Sequence, residues 1–331
     1  MGFKVNSTTV LGDNYSFTAD KQYLSSPVGF VQIGGFQGLI AGYVSGGTSP
    51  PDVSIVDRFP FSTPFTTATD VGDISQARGA VAGQSSPSDG YSSGGRIPLP
   101  SVVDTVDKFP FSTPFTTATD VGNLSQSRER LTGQSSSTNG YTSGGSAPGN
   151  SNRIDRFPFS APFATATDVG DLSQARQELM GQSSDLYGYT SGGYITPLYG
   201  TTVDRFPFST PFTTATSVGA LAQARGLAAG HSSDTDGYTA GGFTSATTTT
   251  NTIDRFPFSG PFTAATDIGD LSQARYSVSG QSYLTHGYSS GGFAPPNVNR
   301  IDSFPFTAPF VTATDVGDLS QVRRDTAGQQ Y

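Results

Sequence analysis

The chain has 331 residues, a formal net charge of −8, 13% charged and 34% hydrophobic residues, 41 Gly, 22 Pro, two His and no Cys. No Cys means no disulfide framework and no thiolate metal site. Without a basic stretch there is no concentrated positive surface for nucleic acid. So much Gly and Pro disfavours helices and one thick core, while Phe, Val, Thr and Tyr favour many short strands joined by turns.

Residues 1–41 stand apart from the rest. They lack the apolar run of a signal peptide, and Asn6 occupies the position where a myristoylation signal takes Ser or Thr. Lys4 to Val10 reads as an extended arm, and Val28 to Ile40 as one or two short strands. The opening Lys4-Val5-Asn6-Ser7-Thr8-Thr9-Val10 resembles the Lys-Val-Asn-x-Thr-Thr-Val starts of structural proteins from tailed bacteriophages of marine cyanobacteria. That resemblance implies a virion component that docks through this arm.

From residue 42 to 331 one unit recurs. Its centre is Phe-Pro-Phe, whose first aromatic is Phe59, Phe109, Phe157, Phe206, Phe256 and Phe304, at spacings of 48 to 50 residues. A second landmark, Gly-Tyr-x-Ser/Ala-Gly-Gly, ends at Gly47, Gly95, Gly145, Gly193, Gly242 and Gly292. The interval from each first Phe to the next Gly-Gly pair is a constant 35 residues, and all length variation falls in the connection after Gly-Gly. Such periods mean an array of one supersecondary unit that buries its apolar faces against its neighbours.

Turn signals divide each unit into four strand-length pieces. In the stretch from Gly79, the expected strands are Ala80 to Ser85, Tyr91 to Ser93, Val102 to Phe109 and Phe115 to Val121. Pro110 and Pro114 cannot donate to a ladder, so they belong at strand ends or edges. Four antiparallel strands per unit make the blade of a β-propeller. The Gly-Gly pair closing an aromatic strand, the aromatic strand after it and the Arg opening the next unit resemble kelch repeats. The Trp of a kelch repeat is absent, and Phe65, Phe115, Phe163, Phe212, Phe262 and Phe310 are its expected substitutes.

Ring closure follows from the two ends. The first unit opens at Gly42-Tyr43 on its second strand, and Arg323 to Tyr331 matches the first strand of a unit. The fold expected is all-β: a six-bladed kelch-like propeller over 42–331, sealed by N- and C-terminal strands that leave no open sheet edge, with residues 1–41 as a docking arm.

Candidate site residues come from two series. Gln84, Gln134, Gln182, His231, Gln281 and Gln329 share one position of the innermost strand and are expected to ring the channel. The variable loops are expected to decorate one rim, where recognition resides, and offer Arg96, Tyr194, Tyr199, Phe243 and Phe293 as binding residues. Asp pairs such as Asp70 with Asp73 supply too few oxygens for calcium and read as turn residues, so no metal and no cofactor is expected. The Asp-Arg-Phe pairs and the Arg78, Arg128, Arg176, Arg225, Arg275, Arg323 series read as ties between blades. Six-bladed sialidases carry Ser-x-Asp-x-Gly-x-x-Trp boxes, which this chain lacks, and no Ser-His-Asp order or phosphate loop stands out.

The expectation is a non-enzymatic structural or adhesion protein of a phage virion, in tail, fibre or capsid. Its arm would bind other virion proteins and its loop face a host-surface glycan or protein, with self-association into a homo-oligomer left open. A carbohydrate-binding lectin is the alternative, and a glycan-active enzyme with acids clustered at the channel mouth a weaker one. Nucleic acid is not an expected partner. No stretch approaches the roughly 20 apolar residues of a membrane span, so insertion is not expected either.

Overall fold

The computed structural model describes residues 37–331 apart from positions 63–64, 99–100, 113, 161, 210–211, 246–247 and 309; within 1–36 it describes only strand backbone. There Phe3–Val5 pairs with Thr8–Leu11, and Ser16–Thr18, Lys21–Ser26 and Gly29–Gln32 form a three-stranded sheet. The remainder of the expected arm, including Asn6 and Ser7, lies outside the described residues.

Six four-stranded antiparallel sheets form the propeller. Blade 2, in order from the axis, is Ala82–Ser85, Asp89–Ser93, Thr105–Pro110 and Thr119–Asn123. Blades 3 to 6 repeat it from Thr132–Ser135, Met180–Ser183, Ala229–Ser232 and Ser279–Ser282. Blade 1 takes Ala41–Ser45, Ile55–Pro60 and Thr69–Asp73 from the start of the repeats and its innermost strand, Ala327–Gln330, from the end. Gln329 is registered with Tyr43 and Ala327 with Ser45, so the circle is closed as the two termini of the repeat region imply.

The outer strand begins later than its residues suggest. Phe115 is excluded from it because the ring folds back to stack on Phe109 at 5.4 Å, and only Thr119–Asn123 remains extended. The other third aromatics repeat this stack, Phe65 on Phe59, Phe163 on Phe157, Phe212 on Phe206 and Phe262 on Phe256. At the join of blades 5 and 6 the turn differs. Phe310 lies under the Arg255 guanidinium at 5.3 Å, and Val311 is left 57% exposed.

The core is six cores, one at each blade join. Tyr43, Val56, Val71 and Ile74 of blade 1 pack on Phe109 and Phe111 of blade 2, and the remaining joins repeat the arrangement. Apolar contact is thereby made specific by one hydrogen bond. The buried Tyr hydroxyl of each second strand donates to the carbonyl of the next blade's second Phe, from Tyr43 to Phe111 (2.8 Å) round to Tyr288 and Phe61 (3.0 Å). A buried phenol needs such a partner.

Along the axis the inner strands approach so closely that only glycine fits. A Cβ on Gly133 would meet the Gly83 carbonyl oxygen, and Gly83, Gly181, Gly230, Gly280 and Gly328 stand in the same relation to their neighbours. What remains is an axial cavity of about 60 Å³, lined by the Gly-Gln-Ser stretches of the inner strands.

Alternation of strand direction sorts the connections onto two faces. Second-to-third loops and inter-blade links share one face; the inner hairpins and Phe-Pro-Phe turns share the other. Residues 37–39 arrive on the second face. The Gln37 amide donates to the Ser232 carbonyl of blade 5 (3.2 Å), Gly38 N–H to Ser282 of blade 6 and Leu39 N–H to Tyr331 of blade 1. The chain thus passes the inner-strand ends of blades 5 and 6 before it enters the sheet of blade 1.

Candidate functional site

Most charged and polar repeat residues are consumed by the frame. Each Arg of the inter-blade link pairs with the Asp of the following blade's third strand: Arg78 with Asp107, Arg128 with Asp155, Arg176 with Asp204, Arg225 with Asp254, Arg275 with Asp302 and Arg323 with Asp57, at 2.8 to 3.2 Å and with both side chains wholly buried. Burial pulls these guanidiniums below their ordinary value, and the paired carboxylate opposes it. In blades 1 to 4 and 6 the same Asp also accepts a Ser N–H of the link, as Asp107 does from Ser75. In blade 5 the donor is the Ala222 N–H. Buried, paired with each other and present in every blade, these groups carry no asymmetry a ligand could read.

The Gln84 series sits on one tier of the inner strands, and its amides are spent at the blade joins. Gln84 donates to the Tyr141 carbonyl (3.1 Å), Gln134 to Tyr189, Gln182 to Tyr238, Gln281 to Tyr43 and Gln329 to Tyr91. His231 fills the sixth place, its Nε2 3.0 Å from the Tyr288 carbonyl. The Asp of Thr-Asp-Val-Gly accepts its own turn's Gly N–H, as in Asp70 with Gly72 (3.1 Å). No group of three or more His, Cys, Asp or Glu able to hold a metal exists among the described residues.

The loop face is organised differently. Ala80, Arg130, Glu178, Leu227, Ser277 and Asp325 occupy one position just before the inner strands, all at φ between 55° and 61°, a region uncommon for residues other than Gly. Their backbones form a closed hydrogen-bonded ring. Arg130 N–H donates to Ala80, Glu178 to Arg130, Leu227 to Glu178, Ser277 to Leu227, Asp325 to Ser277 and Ala80 to Asp325, at 2.6 to 3.2 Å. Backbone satisfaction holds this ring whatever the side chain, so the six side chains are free to differ, and they do. No sequence signal marks the position, because its residues share neither size nor charge.

Around this ring the loop residues dock. Arg96, Tyr194, Phe243 and Phe293 prove to be equivalent: each follows its Gly-Gly pair and bridges to the neighbouring link at Gly79, Gln177, Gly226 and Tyr276 respectively. Tyr199 joins them from a hairpin in which it is registered with Tyr194. The mouth is therefore a continuous circuit with two unlike halves. Over blades 4 to 6, half-buried rings succeed one another: Tyr194–Tyr199 (5.4 Å), Tyr199–Phe243 (6.1 Å), Phe243–Tyr276 (5.0 Å) and Tyr276–Phe293 (5.3 Å). The Arg324 guanidinium, 4.8 Å from the Phe293 ring, ends this arc.

The other half is ionic. Arg324 pairs with Asp325 (3.6 Å), Asp325 with Arg96 (3.3 Å), Arg96 with Glu129 (3.5 Å), Glu129 with Arg130 (4.0 Å) and Arg130 with Glu178 (2.7 Å). The Tyr199 hydroxyl donates to Glu178 (2.8 Å) and returns the circuit to the rings. Burial and then Glu178 push the Tyr199 phenol well above its ordinary value, so it stays protonated. Burial lowers the Arg96 guanidinium, yet Asp325, Asp52 and Glu129 together hold it above its usual range.

A second concavity of about 370 Å³ lies between blades 2 and 3, lined by Asp89, Lys108, Thr119 and Phe159 among others. The Lys108 ammonium leans on Asp89 at 3.2 Å. In blade 4 Arg205 folds over the Tyr187 ring instead, and in blade 5 Arg255 lies over Phe310 while staying 4.0 Å from Asp236.

No protein-family model and no curated protein matches the chain.

Proposed function

We propose that this protein is a non-enzymatic adhesion propeller of kelch-like build, held by its N-terminal segment and reading a surface partner with its loop face. One observation carries the reading: the Arg–Asp pairs and Tyr–carbonyl bonds repeat at all six blade joins, while one mouth abandons the repetition. There, rings from three blades meet an ion-pair chain from the other side. Selection for packing alone has no reason to place its variety on a single face; recognition by loops on a rigid frame does. Residues 37–39 meet the propeller on the opposite face, which leaves the loop face free for recognition.

The bacteriophage virion is the setting this proposal takes, on the strength of the opening residues Lys4 to Val10 and their resemblance to phage structural proteins. Catalysis is the poorer reading of the same mouth. Glu129, Glu178 and Asp325 are each engaged by a guanidinium, and Glu178 by a phenol as well, an arrangement suited to holding hydroxyls rather than delivering a proton.

The test uses particles that carry the full chain or a chain lacking residues 1–36. Electron microscopy of purified particles should show the disc on the first and not on the second, while the truncated protein remains folded in solution. A Fab raised against the loop face should block particle adsorption. Recovery of the full chain only apart from particles, or adsorption indifferent to the Fab, would overturn the reading.

A further inference from the structure

We infer that the two-sided mouth binds a neutral hexopyranose of a surface polysaccharide, stacked on the aromatic arc with its hydroxyls turned to the Tyr199–Glu178–Arg130 seam; this rests on the adhesion reading and names its ligand. A pyranose presents an apolar C–H face and a rim of hydroxyls. It needs a ring to lie on and, within a few ångströms, both a donor and an acceptor. The seam supplies all three. Tyr199 belongs to both halves: its ring is edge-on to Phe243 at 6.1 Å and its hydroxyl is 2.8 Å from Glu178. Glu178 in turn holds Arg130 at 2.7 Å. Glu178 is buried with both oxygens engaged; it fixes the part-exposed Arg130 guanidinium as donor and the Tyr199 oxygen as acceptor for adjacent hydroxyls, which saves the ordering cost of binding.

Charge excludes the other sugar classes. In the ionic arc the guanidiniums of Arg96, Arg130 and Arg324 are matched by the carboxylates of Glu129, Glu178 and Asp325. No net positive field remains there for a uronate, sialate or phosphate, and the chain as a whole carries −8, which opposes approach of a polyanion. A peptide partner would need no such alternation of ring and paired charge around a single axis.

The experiment is an array of neutral, uronate-bearing and sialate-bearing oligosaccharides probed with the full chain, followed by calorimetry on the best binder. Retention of neutral hexose oligomers is expected, weakened about tenfold or more by Phe243→Ala. Tyr199→Phe keeps the ring and loses the hydroxyl, so it should weaken binding by a smaller factor. Glu178→Gln leaves Arg130 in excess and should shift preference toward uronate-bearing chains. Unchanged thermal unfolding would show each variant still folded. A preference for acidic sugars in the parent protein, neutral binding indifferent to Phe243→Ala, or no sugar retained at all would overturn the inference. If Fab blockade of adsorption persists alongside an empty array, the saccharide assignment fails and the adhesion reading stands.

Discussion

Ala240 and His231 depart from the repeat together, and each accounts for the other. In five blades a serine on the second strand meets the inner-strand glutamine at 2.7 to 3.1 Å: Ser93 with Gln84, Ser143 with Gln134, Ser191 with Gln182, Ser290 with Gln281 and Ser45 with Gln329. In blade 5 the glutamine is His231 and the serine is Ala240. The imidazole keeps the inter-blade bond through Nε2 to Tyr288, leaves Nδ1 buried without a partner and lies edge-on to Phe304 at 5.0 Å.

This site makes stability depend on pH. Burial holds His231 down at about 4 from 6.5, although the Tyr288 carbonyl pulls the other way. The unfolded chain therefore takes up a proton first as pH falls. The contribution is whole above pH 6.5, drains away on the descent to pH 4 and is then spent, a loss of about 3 kcal/mol. Urea melts of the parent and of His231→Gln/Ala240→Ser across that window should show the slope in the first and its removal in the second. His231→Gln alone should cost about 1 kcal/mol for an amide oxygen lacking its serine.

Arg128→Met strands the Asp155 carboxylate in a wholly buried site. The expected cost is about 3–5 kcal/mol. Arg128→Met/Asp155→Leu should recover part of it: Ser125 at the edge can turn its donors to water, while the Gly144 carbonyl and Thr142 hydroxyl still lack the Arg128 donor. A double variant as unstable as the single one would mean the pair acts through something other than charge.

Gly133→Ala brings a methyl against the Gly83 carbonyl, so backbone must move. A loss of about 1–3 kcal/mol is expected from such overpacking. Gly260→Ala, where nothing lies within 4 Å of the added carbon, is the matched control and should stay within about 0.5 kcal/mol of the parent. Thermal unfolding compares them directly.

Removal of residues 327–331 takes the innermost strand from blade 1 and bares the edge of Ala41–Ser45. The open edge should recruit other chains. Size-exclusion chromatography should show assemblies larger than the parent's, and the unfolding transition should broaden. An elution unchanged from the parent with cooperative unfolding would show that five blades and a remnant suffice.

Much of the architecture was legible because repetition amplifies weak local signals. Phe109-Pro110-Phe111 is ambiguous once and unmistakable in six copies at even spacing. The outer strand starts four residues later than the strand propensity of Phe115 suggests, because Phe115 stacks on Phe109 and gives its N–H to Val71 of blade 1. Arg96, Tyr194, Phe243 and Phe293 could be picked out as loop residues following Gly-Gly. Their meeting with Tyr276, Arg324 and the Glu178 ring could not, since these come from links of other blades.

Blade count, ring closure and the buried ties belong to the chain as written, because a periodic sequence has one economical way to bury six identical faces. Which side chains share the mouth was decided by the circle itself. Bending the array brings Arg96 within 3.3 Å of Asp325, 229 positions away, and no local pattern encodes that distance. The ring of left-handed residues beneath them is held by backbone alone, which frees those positions to vary and hides them from any reading of residue type.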